Sequence, residues 1–212
     1  MRIRLRFTKT GKIRWTSHRD MARVWERTIR RVRLPIAYSQ GFSPHPKVHF
    51  GLALSTGHAS LAEYPDIDLA DDAPNLPGPA ELAELAELLT TALPVGLEVT
   101  AVAPIASNAT SLQQAVESCE WRIEIRGAEP HEVALAVERV LAAPELTIAR
   151  QRKGKDVTDD VRPYVLALAV VGPTDAGTEI DAHLATQPRG LRTSELPGVL
   201  DTGGEEGRVR RL

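Results

Sequence analysis

The sequence predicts an α+β fold built as tandem ferredoxin-like (βαββαβ-type) units with antiparallel sheets and helices on one face. Three observations carry this. Each half opens on a strictly alternating segment, Arg2–Phe7 and Trp121–Ile125; each follows it with a helical stretch, 18–33 and 131–142; and alternating or apolar segments then recur between Pro- and Gly-rich turns. A chain of 212 residues buries a sizeable core and suffices for two small domains. Expected bounds are 1–103 for the first unit, 112–201 for the second, and a mobile polar tail at 202–212.

In the first half, Ile3, Leu5 and Phe7 face inward and Arg2, Arg4 and Arg6 outward. Gly11 turns the chain into an expected short strand at Ile13–Trp15. A helix then starts at Ser17, because a hydroxyl there and the Asp20 carboxylate three residues on can each satisfy an orphan backbone donor. At about 100° per residue, Met21, Trp25, Thr28, Ile29 and Val32 share one side, while Arg19, Arg23, Arg27, Arg30 and Arg33 share the other. Pro35 stops the helix. Short strands are expected at Ile36–Ser39 and Val48–Leu54, joined by the loop 40–47, then a strand at Glu63–Leu69 and a Pro- and Asp-rich loop from Asp71. Residues 79–92 form a second helix, with Pro79 in its first turn and Leu82, Leu85, Leu88 and Leu89 opposite glutamates. A strand at Leu97–Val102 completes the unit.

The stretch from Ala103 to Ser111 reads as a linker, with a short helix possible before Cys119. Beyond the alternating strand and the helix bearing Val133, Val137 and Val140 come a strand at Leu146–Ala149, a basic turn over 150–155, strands at Tyr164–Val171 and Thr178–Leu184, and a last helix or turn near Ser194–Leu200. The halves share an architecture and no residue-level repeat.

Charge is distributed unevenly. Residues 1–47 hold 13 of the 26 Lys and Arg and two of the 28 Asp and Glu, a net +11, which leaves −13 for the remainder. An outer helix face ordinarily mixes signs, since like charges at i, i+4 repel. An arginine face points to an anionic partner, with RNA first. The nucleic-acid contacts expected are Arg19, Arg23, Arg27, Arg30, Phe42 and Lys47, joined by Arg152 and Lys153 of the second-half turn. The loop Gln40–Lys47 is stiffened by Pro44 and Pro46 and freed at Gly41, so it can hold Phe42, His45 and Lys47 in a fixed array; alternatively it is a rigid connection with Phe42 in the core.

Cys119 is the single cysteine, which excludes an internal disulfide framework, a cysteine-based zinc site and an iron–sulfur cluster held by this chain alone. With no apolar leader and no membrane span, a cytoplasmic location is expected. No metal and no cofactor are expected: His45 and His49 stand too far apart on a strand, at about 3.3 Å per residue, to ligate one ion. His18 and His45 are the candidates for acid–base chemistry. His18 also falls at the edge of the apolar helix face, where a half-buried, hydrogen-bonded histidine is the plainer reading. No GxxxxGKS, GxSxG or HExxH pattern occurs.

The residues Ser17-His18-Arg19-Asp20, Arg30-Arg31, Leu34-Pro35, Tyr38-Ser39-Gln40-Gly41-Phe42-Ser43-Pro44-His45-Pro46-Lys47 and Glu63-Tyr64 together give a resemblance. The chain resembles the bacterial proteins called radical SAM-linked or radical SAM-associated, a family whose function is uncharacterised. The likeness covers about residues 1–70 and extends more weakly over Asp160-Val161-Arg162-Pro163-Tyr164. It implies partnership with a radical SAM enzyme, whose cluster needs three cysteine thiolates that this chain does not supply. The expected function is a non-catalytic RNA-binding accessory subunit working with such an enzyme in RNA modification. Two alternatives are a metal-independent RNA-processing enzyme of RAMP-like fold and a docking module for an acidic protein.

Overall fold

The computed structural model describes residues 1–70, 78–152 and 154–212, without the side chains of residues 79, 80, 83 and 152. It divides into two units, Met1–Ala115 and Val116–Leu212. Of the expected loop at Asp71–Pro79, residues 71–77 lie outside the described residues, and Pro79 already belongs to the second helix.

The first unit runs β1 (Arg2–Lys9), α1 (His18–Arg31), β2 (Val48–Phe50), β3 (Ala59–Glu63), β4 (Pro65–Asp68), α2 (Pro79–Ala92), β5 (Leu97–Ile105) and the one-turn α3 (Leu112–Ala115). β1 is central: β5 pairs along one side, β3 and β4 lie end to end along the other, β2 lies outside β4, and every pairing is antiparallel. Alternation sends Ile3, Leu5 and Phe7 into the core against Trp25 and Ile29 of α1 and Leu82, Leu85 and Leu89 of α2, so both helices cover one face of the sheet. The Trp25 and Phe7 rings meet edge to face at 5.0 Å, a contact worth about 1 kcal/mol beyond the area it buries.

Several first-half expectations are corrected. Gly11–Trp15 is a 3-10 turn and not a strand: Gly11 reverses the chain at φ +62°, and the Thr10 N–H is taken by the Gly96 carbonyl. Ile36–Ser39 is reduced to two isolated bridges, Ile36 to Leu69 and Tyr38 to Pro46, since Pro35, Pro44 and Pro46 have no N–H to extend a ladder. The strand from Val48 ends at Phe50, and the single strand expected over Glu63–Leu69 is β3 and β4 broken at Tyr64.

The second unit runs β6 (Ser118–Arg126), α4 (Pro130–Ala142), β7 (Thr147–Arg152), β8 (Lys155–Asp160), β9 (Val165–Thr174), β10 (Gly177–Ala185), α5 (Leu196–Leu200) and β11 (Glu205–Arg211). β11, β6, β10 and β9 form an antiparallel sheet in that order, and β7–β8 is a separate ribbon. Ile123, Ile125 and Ile180 meet Val133, Val137 and Val140 of α4 and Leu196 and Leu200 of α5 on one face. The expected mobile tail is β11. Its alternation is hard to see in sequence because one inward position is Val209 and the next is Arg211, a buried residue whose guanidinium lies 4.6 Å from the centre of the Trp121 ring; an arginine stem here substitutes for an apolar side chain.

A carboxylate ties β11 into this sheet. Glu124, 3% exposed, accepts from the Arg208 guanidinium at 2.9 Å, the Arg208 N–H at 3.1 Å and the Thr174 hydroxyl at 2.8 Å. These bonds, the guanidinium's foremost, outweigh burial and hold the Glu124 carboxyl below its ordinary value. A carboxyl lowered on folding stabilises the fold fully above its unfolded pKa of about 4.3 and loses that contribution as pH falls through the lower folded value. Glu124→Gln is therefore expected to cost about 1.5–3 kcal/mol in urea melts at neutral pH. The gap to wild type should close as the melts are repeated from about pH 4 downward.

Candidate nucleic-acid interface

α1 forms where the sequence places it. The Ser17 hydroxyl accepts from the Asp20 N–H at 3.2 Å and donates to the Asp20 carboxylate at 2.8 Å. That hydrogen bond, with Arg23 at 3.0 Å, holds the Asp20 carboxyl below its ordinary value. Met21, Trp25, Thr28 and Ile29 are buried, while Arg19, Arg23, Arg27, Arg30, Arg31 and Arg33 are exposed. Arg30 and Arg31 lie in the last turn, where cations complement the helix dipole. Asp20 does the same for the first turn, so the helix tolerates its charge.

What distinguishes α1 is the fate of its guanidiniums. Arg23 pairs with Asp20; among the described residues Arg19, Arg27, Arg30, Arg31 and Arg33 have no carboxylate within ion-pair reach. Arg27 donates from Nε to the Arg23 carbonyl at 3.2 Å, and Arg31 from Nη1 to the Ala92 carbonyl at 3.0 Å. In β1, Arg2 and Arg4 present the contrast, while Arg6 is exposed with no ion pair among the described residues. Arg4 makes a two-point bond to Asp66 at 2.8 and 3.0 Å, and Arg2 binds Asp68, which also bonds His49 at 3.3 Å. Burial alone would raise the Asp68 carboxyl, but Arg2 and His49 outweigh it and bring it below the ordinary value.

The loop bearing Phe42 is a closed hairpin. Ser39 donates its N–H to the His45 carbonyl at 2.9 Å, His45 returns its N–H to the Ser39 hydroxyl at 3.0 Å, and the Lys47 N–H reaches the Ala37 carbonyl at 2.9 Å. Gly41, at φ +128°, permits the tip. Phe42 has full solvent exposure, so the core reading of this residue is corrected. His45 and Lys47 are exposed as well.

Among the described residues, His18 and His45 have no side-chain partner of the kind that orients an acid–base histidine. The His18 ring is exposed and lies edge-on to Phe50 at 5.4 Å; among the described residues neither His18 nor His45 has a side-chain hydrogen bond. His18 borders a cavity of about 20 Å³ with Lys9, Phe50 and Glu63, room for a single water. Lys9, 3% exposed, donates to the Thr16 carbonyl at 2.9 Å; burial pushes its ammonium pKa down, opposed by Glu63. Among the described residues no cluster of three or more His, Cys, Asp or Glu could hold a metal, and no helix is long and apolar enough to cross a membrane.

In the second unit, the side chain of Arg152 and all of Lys153 lie outside the described residues. Their neighbour Arg150 is engaged by Glu195 at 2.6 Å and Asp159 at 3.3 Å, and Arg189 reaches Asp159 at 3.5 Å. A residue that the sequence reading missed is Trp15, 62% exposed with the Arg14 guanidinium 5.2 Å from its ring centre. The alternation Ile13–Trp15 suggested a strand there, whereas the 3-10 turn brings the indole to the surface.

The chain belongs to the bacterial family described as "Uncharacterized protein conserved in bacteria (DUF2344)", whose profile matches residues 2–192. No curated protein matches it. Among solved structures it is similar to a chain of a Cbf5–Nop10–Gar1 complex, with a TM-score of 0.51 at 10% identity over 99% of this chain and 47% of that one. A chain of an archaeal box H/ACA sRNP Nop10–Cbf5 complex gives a TM-score of 0.48 at 8% identity, covering 99% and 46%. The chain thus spans about half the length of these structural relatives, and the first likeness is one of fold.

An exposed aromatic at a hairpin tip contributes nothing to the core. Phe42→Ala should therefore leave the melting temperature within about 1 °C of wild type, where emptying a core phenylalanine costs about 3–5 kcal/mol. A thermal melt checks this; a large drop would return Phe42 to the core.

Proposed function

We propose that this protein is a non-catalytic RNA-binding accessory subunit, with α1 as its phosphate contact and the 40–47 hairpin presenting Phe42 to an unpaired base. The observation that carries the reading is that Arg19, Arg27, Arg30 and Arg31 of α1 stay exposed with no carboxylate in ion-pair reach among the described residues, Arg23 pairing with Asp20, while Arg2, Arg4 and Arg150 are each paired. An exposed phenylalanine in the same unit supplies a stacking platform, which suits a single strand better than a duplex.

The accompanying fold reading is a tandem of ferredoxin-like units. Antiparallel orders of β5-β1-β3/β4-β2 in the first and β11-β6-β10-β9 in the second support it, each with two helices packed on one face. The resemblance carried by Ser17–Asp20, Tyr38–Lys47 and Glu63-Tyr64 adds a radical SAM enzyme as the partner that would modify the RNA. Cys119 alone cannot hold the cluster of that chemistry, so the division of labour is consistent.

Phosphate contacts release counterions, so the logarithm of affinity for single-stranded RNA should fall with the logarithm of salt by about 0.7 per contact. Arg27→Gln with Arg30→Gln removes two such contacts. We expect the slope to shrink by about 1.4 with the helix intact, because glutamine has similar helix propensity. Equal slopes and affinities for wild type and the double variant would remove α1 from the RNA surface. Tighter binding of polyglutamate than of RNA would favour an acidic protein partner.

A further inference from the structure

We propose that the groove between α1 and α2 is a base-binding site: it seats one nucleobase of a single-stranded RNA, with the adjoining phosphates on Arg27 and Arg31. This rests on the RNA reading above and adds a second base contact apart from Phe42.

The groove has a volume of about 340 Å³, within the roughly 300–1,000 Å³ of small-ligand sites. Its walls differ in chemistry. Val24 and Thr28 of α1 face Ala92, Leu93 and Pro94 at the end of α2, which makes an apolar slot suited to a flat ring. Arg27 and Arg31 line it from positions one helical turn apart, where Cβ atoms are about 5–6 Å from each other. No carboxylate is among its described lining residues.

Both guanidiniums are held in place and still have donors to give. Each is anchored by one hydrogen bond to a backbone carbonyl, Arg27 to Arg23 and Arg31 to Ala92, out of the five N–H groups a guanidinium carries. The Arg31 bond also ties α1 to the last residue of α2, which has no basic residue in its own last turn. Pro94 is exposed and Val95 is 99% exposed, an apolar lip in water directly after the groove wall. An apolar slot edged by two carboxylate-free arginines is complementary to a base and its phosphates. The wider second-unit groove lined by Arg150, Arg189 and Arg192 is not, since Asp159 and Glu195 already occupy Arg150.

The test uses the full chain in a Phe42→Ala background, so that stacking at the hairpin does not contribute. Its probes are decauridylate and an abasic oligomer with the same number of phosphates. Adding Ala92→Phe fills the slot without changing charge. It should weaken decauridylate binding by about tenfold, within the range for one stacked base, and leave abasic binding and the salt slope unchanged. Arg31→Gln should weaken both probes and reduce the slope by about 0.7. If Ala92→Phe lowers the melting temperature, Pro94→Tyr fills the same groove from outside the helix. Unchanged decauridylate affinity in the filled variant overturns the groove proposal while the RNA reading stands on the α1 salt slope. Failure of the unmodified chain to bind either probe removes both.

Discussion

Cross-strand pairing of arginines with carboxylates decides where this protein's positive charge is available. Asp66 is 3% exposed on β4, and the two-point bond from Arg4 of β1 gives both of its carboxylate oxygens a partner there. Register places the two opposite each other, and Arg2 opposite Asp68 in the same ladder. The same device recurs in the second unit, where Arg122 binds Asp181 across β6 and β10 at 2.8 Å and Arg208 binds Glu124 across β11 and β6. These pairs orient strands and use up charge together. α1 carries two acids, Asp20 and Glu26, against five arginines, and among the described residues only Arg23 of these is paired, so this helix face keeps charge that the paired sheet arginines do not.

Local rules made much of this legible. Ser17, Asp20 and the stripe Met21, Trp25, Thr28, Ile29 fix the start and buried side of α1, and Pro79 with the leucine spacing fixes the extent of α2. Other features depend on partners remote in sequence. Whether Arg4 is free depends on Asp66, more than sixty residues away, and no periodicity within β1 discloses it. β11 escaped because Arg211 takes an inward position. Phe42 stayed ambiguous, since one aromatic between prolines fits a core plug or an exposed tip equally well; the reciprocal Ser39–His45 bonds settle it. Trp15 was missed because a five-residue 3-10 turn and a short strand look alike in sequence.

Rigidity and exposure coincide at the proposed contacts. The hairpin is closed by backbone and hydroxyl bonds beneath Phe42, and two of the α1 guanidiniums are tethered to carbonyls. Preorganised side chains lose less entropy on binding than free ones, which favours their use as contacts.

The central claim is that RNA lies on α1 and the 40–47 hairpin. Photocrosslinking the intact protein to single-stranded RNA containing 4-thiouridine, followed by mapping of the attached peptides, tests it most directly. The account predicts crosslinks concentrated in residues 18–33 and 40–47. Crosslinks confined to Val116–Leu212, or equal labelling of both units, would contradict it.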